Sequence, residues 1–287
     1  MDVKASVPRP MFIQEPVMIG GMPRKDHAKD GGMNSGTINR TLFELAEAQE
    51  ISSSTVADVR IGLGYASVLL EGGRLGLSAV LRRDMEPGCN LVTRAGTMAG
   101  GPASELLKLL VQGETPLDKT IGLATANAIL NPGAPSREDD TLELIGLSDK
   151  DRVTMVGFFG PLVERIKDTG ARLSIVEIDR HRPGIHNSDD ARTALERATV
   201  ALITATSLLN DTLESILSRL PSARHVTLLG PSTPLAPKAF QGTPVNHLAG
   251  SVSMDNRKIL QIVSEGGGTP IMRPWLRFVN IVWNKAP

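Results

Sequence analysis

The second half of the chain alternates short apolar runs with helical segments, and this alternation constrains the fold more than any other feature. The runs are rich in Val, Ile and Leu and lie at 152–156, 173–178, 199–203 and 225–229. Apolar strands that alternate with helices predict a parallel sheet covered on both faces, as in Rossmann-like proteins. The helices predicted between the runs span 162–168, 189–197 and 208–217. Ligands bind such sheets beyond the carboxyl ends of the strands, so we expect a site in the loops that follow the runs.

A β-hairpin is predicted in the first half of the chain. Two strand-like runs, 65–71 and 74–81, are separated by Gly72-Gly73. A tight hairpin turn needs positive φ at both central residues, and glycine adopts it without steric cost. The sequence therefore predicts two antiparallel strands here.

The segments around this hairpin predict a separate α+β domain. A short amphipathic helix from Thr41 and a strand-like run at 55–61 precede it, and helical patterns at 103–111 and 117–130 follow it. Strands followed by helices are typical of an α+β domain, whereas the alternating second half is α/β. We divide the chain into a flexible arm rich in Gly and Pro, an α+β domain and a Rossmann-like α/β domain, at residues 1–37, 38–135 and 136–287.

Charge balance and cysteine content exclude several classes of protein. The 287 residues include 31 Lys and Arg against 31 Asp and Glu. A net charge of zero provides no basic face for nucleic acid or an anionic membrane, so we expect neither partner. Cys89 is the only cysteine, which excludes an intrachain disulfide and fits a reducing cytoplasm. No apolar stretch approaches the ~20 residues of a membrane span, and we predict a soluble, cytoplasmic protein.

A glycine-containing loop follows the first strand of the second domain. It reads Gly157-Phe158-Phe159-Gly160-Pro161, and proline at the first helical position leaves the free N–H groups of a helix end to attract an anion. Two glycines separated by two phenylalanines do not complete the G-x-G-x-x-G pattern. The loop therefore does not predict NAD or FAD, and the cofactor is left open. The alternative is that these glycines only permit close packing of helix and strand.

Carboxylates and histidines follow the second strand. Glu177 and Asp179 are two residues apart, which places them on the same side of an extended strand, where they suit a catalytic base, a ribose anchor or metal ligands. The alternative is that they are solvated charges paired with neighbouring arginines. His181 and His186 complete an N/O metal site with Asp179 in principle, although exposed loop histidines are the other interpretation. We assign no metal site and keep these three residues as candidates if a metal is found.

Short polar side chains follow the third and fourth strands. After the third strand lie Thr204, Thr206, Asn210 and Thr212, which suit a polar ligand. The alternative is helix capping, with Asp211 and Glu214 as a D-x-x-E box.

A rigid loop follows the fourth strand. Three prolines at 231, 234 and 237 restrict the backbone and present Ser232 and Thr233. A stiff loop loses little entropy when a ligand binds, although the segment also reads as a plain turn.

Taken together, these motifs resemble the putative heavy-metal chelation family. The resemblance is carried by residues 155–163, 176–180, 204–213 and 229–235 in the second half and by 62–66, 96–102 and 124–128 in the first. It implies a Rossmann-like C-terminal domain preceded by a domain like the N-terminal domain of enolase, with the site in the cleft between them. Asn127 is the residue of the first domain that the resemblance favours for that cleft. The substrate-binding residues expected from the loops and the resemblance are Asn127, Gly157, Phe159, Gly160, Thr204, Thr206, Asn210, Thr212, Ser232 and Thr233.

The available side chains and the family's description point in different directions. Soft metals prefer thiolates and thioethers, yet the chain has one cysteine, and five of its ten methionines lie in the arm. Carboxylates, hydroxyls, amides and a helix end suit a small polar or anionic molecule instead. We therefore predict a lyase-type enzyme of a biosynthetic pathway that catalyses elimination or cyclisation with an anionic leaving group, with Glu177 and Asp179 as catalytic residues.

Two other functions and an assembly remain open from the sequence. The chain also fits a non-catalytic protein that binds a heavy metal or a metal chelate, and a nucleotide-binding regulator. The arm and the apolar tail at 275–283 suit a partner surface, so a homo- or hetero-oligomer is an open alternative.

Overall fold

The strands form one three-stranded and one seven-stranded sheet. The structure is a computed structural model, and it describes residues 17–18, 37–85, 91–177 and 188–284. The strands are β1 (Val17–Met18), β2 (Val56–Ile61), β3 (Tyr65–Leu70), β4 (Arg74–Ala79), β5 (Arg152–Val156), β6 (Arg172–Glu177), β7 (Val200–Thr204), β8 (His225–Leu229), β9 (His247–Ser253) and β10 (Leu276–Val282). The α-helices are α1 (Thr37–Glu47), α2 (Ala103–Leu107), α3 (Leu109–Gln112), α4 (Pro116–Leu130), α5 (Thr141–Ile145), α6 (Gly160–Asp168), α7 (Ser188–Glu196), α8 (Leu213–Leu217), α9 (Asn256–Ser264) and α10 (Thr269–Met272).

The small sheet contains the predicted hairpin. Strands β2, β3 and β4 are antiparallel in that order, and Gly72 and Gly73 between β3 and β4 both have φ +86°. Helix α4 covers one face of this sheet. Its close approach depends on Gly76 of β4, where a Cβ atom would lie 2.0 Å from the Ala124 carbonyl oxygen. The α+β order predicted for the first domain is confirmed.

The other face of the small sheet is covered by α9, which the sequence pattern did not predict. Leu75 and Leu77 of β4 pack against Ile259 and Val263 of α9, and all four side chains are buried. The chain therefore returns to the first sheet after it has completed most of the second one.

The large sheet confirms the predicted Rossmann-like domain. Its order is β1-β6-β5-β7-β8-β9-β10, and its strands are parallel except for β10, which is antiparallel to β9. The strands predicted at 152–156 and 225–229 have the same bounds as β5 and β8. Because β6 and β7 lie on either side of β5, the order of the strands reverses at β5. In an open α/β sheet this reversal marks the ligand crevice.

One predicted helix and its capping box are wrong. A helix was expected over 208–217, but α8 spans only Leu213–Leu217, after a 3-10 turn at 205–208. Asp211 has φ 54° and does not cap α8, whose N-cap is Thr212. Glu214 instead accepts a hydrogen bond from the Ile38 backbone N–H at 3.1 Å. Contacts with the first domain thus override the local helical pattern.

The tail at 275–283 is largely part of the large sheet. Strand β10 pairs with β9 along its whole length, and Leu276 and Val279 are buried in the protein's own core. Trp275 remains 36% exposed. The arm at 1–37 lies outside the described residues except for β1, an edge strand parallel to β6, and Thr37, where α1 begins. None of the described helices is long and apolar enough to cross a membrane.

Candidate functional site

A cavity of about 350 Å³ lies between the two domains, at the carboxyl ends of the strands around β5. One wall is formed by the ends of β5, β6 and β7 and by the loop after β7. The other wall is the segment that follows β4 in the first domain. The lining residues on the sheet wall are Val156, Gly157, Glu177, Thr204, Thr206, Ser207, Asn210 and Thr212, and those on the opposite wall run from Val80 to Asp84. The site expected from strand order and the cavity therefore coincide.

Gly157 ends the central strand at this cavity. Its φ is +86°, and its N–H donates to the Val176 carbonyl oxygen at 2.9 Å. A Cβ atom at this position would lie 3.0 Å from Cγ2 of Thr204, so glycine permits both the turn and the approach of the β7 loop. Phe159 and Gly160 follow at the start of α6 and do not line the cavity.

Glu177 is a buried carboxylate at the end of β6, 7% exposed and on the cavity wall. The other candidates from the same stretch, Asp179, His181 and His186, lie outside the described residues. Within the described parts of the chain, no group of three or more His, Cys, Asp and Glu side chains is arranged to hold a metal ion.

The loop after β7 supplies hydroxyl and amide groups. Oγ1 of Thr204 and Oγ1 of Thr206 are 2.9 Å apart, and the Thr206 backbone N–H donates to Thr204 Oγ1 at 3.3 Å. The Thr212 hydroxyl donates to Oδ1 of Asn210 at 2.7 Å. This hydrogen bond fixes the orientation of the Asn210 amide, whose oxygen is the acceptor. The loop is a preorganised set of neutral hydrogen-bonding groups.

Asn127, Ser232 and Thr233 lie at the seam between the domains rather than on the cavity wall. Nδ2 of Asn127 donates to the carbonyl oxygens of Leu77 and Ser232 at 2.8 and 2.9 Å. The Ser232 hydroxyl accepts from the Ala79 N–H at 2.8 Å, and Thr233 is fully buried. The structure thus places these residues where they join β4 and α4 to the loop after β8.

Two arginines that the sequence analysis does not predict line the wall that follows β4. Arg82 and Arg83 lie in a 3-10 turn at 82–84 together with Asp84, and all three side chains are exposed. Among the described residues Arg82 has no ion-pair partner. No local pattern marks this turn, because its role depends on where the second domain docks. The wall opposite the sheet therefore carries two guanidinium groups and the Asp84 carboxylate, and the sheet wall carries the buried carboxylate of Glu177.

These features define a class of protein: a two-domain α/β protein with a polar cleft at the reversal point of a Rossmann-like sheet. Two family models match the chain, one over residues 44–130 and one over 140–281, and both are described as putative heavy-metal chelation. The chain belongs to this family.

Similar proteins support the fold. The chain is 25% identical over 231 residues to an uncharacterized protein of Methanocaldococcus jannaschii, covering 77% of this chain and 86% of that protein. Crystal structures of proteins with unknown function from Pyrococcus horikoshii and Desulfitobacterium hafniense superpose with TM-scores of 0.70 and 0.69, each at 22% identity. They cover 86% and 85% of this chain, and this chain covers 98% and 100% of theirs. At this identity the two structures bear on the fold alone.

Proposed function

We propose that the cleft binds a small organic anion and that the protein acts on it as a lyase. The observation that carries the proposal is the position of Glu177, a buried carboxylate in a wall of hydroxyl and amide groups, across the cleft from Arg82 and Arg83. A carboxylate across a cleft from guanidinium groups suits an elimination, because a base takes the proton and a cationic group stabilises the anion that leaves.

Each wall has a distinct part in the proposed reaction. Arg82 and Arg83 bind the anionic leaving group, since guanidinium groups match carboxylate and phosphate oxygens. Thr206 and Asn210 orient the polar body of the substrate. Glu177 accepts a proton from the substrate, and the released electron pair forms a double bond or, in a cyclisation, the deprotonated atom closes a ring. The leaving group departs with the electrons of its broken bond. Asp179 stays a second candidate for the base.

A second candidate, binding of a metal chelate without catalysis, is favoured by the family's description. Neither cysteine nor histidine lines the described cleft, and soft metals prefer sulfur and imidazole ligands. The described residues therefore fit a bare heavy-metal ion poorly. They fit better a metal that arrives inside an organic chelator, whose free carboxylates would bind Arg82 and Arg83.

The test is to identify what the protein binds when it is purified without added chelators. We expect mass spectrometry to find an organic anion and elemental analysis to find no stoichiometric metal. Arg82→Ala should lose the bound molecule, whereas Arg172→Ala, an exposed arginine at the other end of β6, should keep it. Glu177→Gln should bind the molecule but not convert it. A stoichiometric metal together with its chelator would favour the second candidate, and a metal without any organic molecule would contradict both.

A further inference from the structure

We propose that Asp211 is a positioning residue for the loop between β7 and α8. Its contacts with the first domain keep this loop in its ligand-binding conformation. The inference rests on the proposed function, because the loop supplies Thr206, Asn210 and Thr212 to the cleft. Asp211 itself does not line the cavity. Its role is to set the backbone path of the residues that do.

Asp211 has an unusual backbone conformation. Its φ of 54° makes it the only non-glycine residue with positive φ in the part of the chain that the structure describes. This left-handed region is disfavoured for L-residues, and Asp tolerates it better than most. The conformation still costs free energy, which contacts around the residue must offset.

A local hydrogen bond from the Thr212 N–H to the Ser207 carbonyl oxygen at 3.1 Å closes the turn at this residue, and two side chains of the first domain hold it from outside. The Lys119 ammonium of α4 forms an ion pair with Oδ2 of Asp211, and the Lys119 side chain is only 14% exposed. Nδ2 of Asn39 in α1 donates to Oδ1 of Asp211 at 3.4 Å and, more strongly, to the Leu208 carbonyl oxygen at 2.9 Å. Asn39 is 2% exposed. Helices α1 and α4 of the first domain therefore bind the loop at two points, Leu208 and Asp211.

The sequence of the loop also favours a second conformation, a continuous helix. Leu209, Leu213, Ile216 and Leu217 have the spacing of one helical face, which favours a continuous helix through the loop. A right-handed Asp211 would allow that helix. It would also move Asn210 and its partner Thr212 along a different path and break up their hydrogen bond at the cavity wall. The contacts from Lys119 and Asn39 thus select the ligand-binding form over a helical form.

The experiment compares the full-length protein with Lys119→Met, Lys119→Arg and Asp211→Asn, using inorganic phosphate as the probe of the anion site. Amide hydrogen exchange over 204–212 measures the loop directly, and calorimetry measures phosphate binding. We expect faster exchange in Lys119→Met and Asp211→Asn, since each removes the ion pair and Asn tolerates positive φ as well as Asp does. If the ligand-binding form falls to about a tenth of the molecules, the Kd for phosphate rises about tenfold. Lys119→Arg keeps the ion pair and should restore both slow exchange and affinity, which a general loss of packing would not explain.

Arg82→Ala separates this inference from the proposed function. It should weaken phosphate binding without any change in exchange over 204–212. Wild-type protein that binds no phosphate would contradict the anion site, and exchange in Lys119→Met would still decide the role of Asp211. Unchanged exchange in both Lys119→Met and Asp211→Asn would overturn the positioning role.

Discussion

The imidazole of His247 is fixed at both nitrogens by neighbours in the large sheet. Its Nε2 lies 2.9 Å from Oδ1 of Asn280, and Asn280 is oriented because its Nδ2 donates to the Asp139 carbonyl oxygen at 2.7 Å. Nε2 therefore carries the proton, and Nδ1 is the acceptor. Nδ1 receives hydrogen bonds from Nε2 of His225 at 3.0 Å and from the Thr227 hydroxyl at 3.2 Å. Protonation of Nδ1 would remove this acceptor, and the Thr227 hydroxyl and the His225 ring would have to change their hydrogen-bonding roles.

We expect the folded protein to lose stability between about pH 6.5 and pH 4 because of this residue. Burial lowers the pKa of His247 to about 4, whereas an unfolded histidine has a pKa near 6.5. Since the unfolded state binds the proton more readily, stability falls as the pH falls through this window, by at most about 3 kcal/mol. Urea unfolding at a series of pH values measures it. His247→Gln should be less stable at pH 7 and show a flatter dependence, and an equally steep dependence in that variant would contradict the assignment.

Among single residues, the sequence predicts the side chains of the cavity wall that lie at strand ends. It does not predict the side chains that reach the cavity only because the two domains pack together. Gly157, Glu177 and Thr204 each lie at or directly after the end of a strand that the apolar runs predict, and all three line the cavity. Arg82 lines it from a turn with no pattern of its own. The pairing of His225 with His247 was also out of reach, because it requires that β8 and β9 be neighbours in a known register.

At the scale of elements, the contact between β4 and α4 depends on one missing side chain. A Cβ atom on Gly76 would lie 2.0 Å from the Ala124 carbonyl oxygen and 2.2 Å from the Ala128 nitrogen. Both are backbone atoms of a helix and cannot rotate away. The distance between sheet and helix is therefore set at this glycine.

We expect Gly76→Ala to lower the free energy of unfolding by about 3 kcal/mol, because the helix must shift to admit the methyl group. Gly101→Ala is the matched control. Its nearest neighbour to a Cβ atom is the Met98 carbonyl oxygen at 3.4 Å, and its effect should stay within about 0.5 kcal/mol. Chemical denaturation of both variants makes the comparison. Equal stabilities of the two variants would mean that α4 moves freely against the sheet.

The periodicity of the sequence predicts some helices and strands correctly and misses others. The hairpin and the strands at 152–156 and 225–229 were predicted correctly, because turn chemistry and apolar runs are local properties. The helix at 208–217 was not, since Lys119 and Asn39 act on it from a distance in sequence. Strands β9 and β10 and helix α9 were also missed. These elements pack against parts of the chain that are distant in sequence, above all the small sheet beneath α9, and a local pattern contains no information about such contacts.

At the scale of the whole molecule, the two domains share their stability through α9. Ile259 is fully buried in one apolar cluster with Leu75 and Leu77 of the first domain. Asp255, which caps the same helix, follows closely after β9 of the second domain. The helix is therefore a structural part of both domains.

We expect Ile259→Asp to destabilise the first domain although the change lies in the second half of the chain. A buried, unpaired carboxylate should cost more than about 3 kcal/mol and should remove amide exchange protection from β3 and β4. Arg257→Asp, an exposed position on the same helix, should leave both stability and protection nearly unchanged. Protection in β3 and β4 that survives Ile259→Asp would show that the small sheet is stable without α9.

The crossing of α9 onto the small sheet has a consequence for synthesis on the ribosome. Leu75 and Leu77 leave the exit tunnel long before Ile259 and Val263, which cover them in the finished protein. Throughout that interval the hairpin presents an apolar face that the nascent chain cannot yet cover, the kind of surface to which chaperones bind. The domain made first is thus completed late, and translation that stalls before α9 would release a chain prone to aggregation.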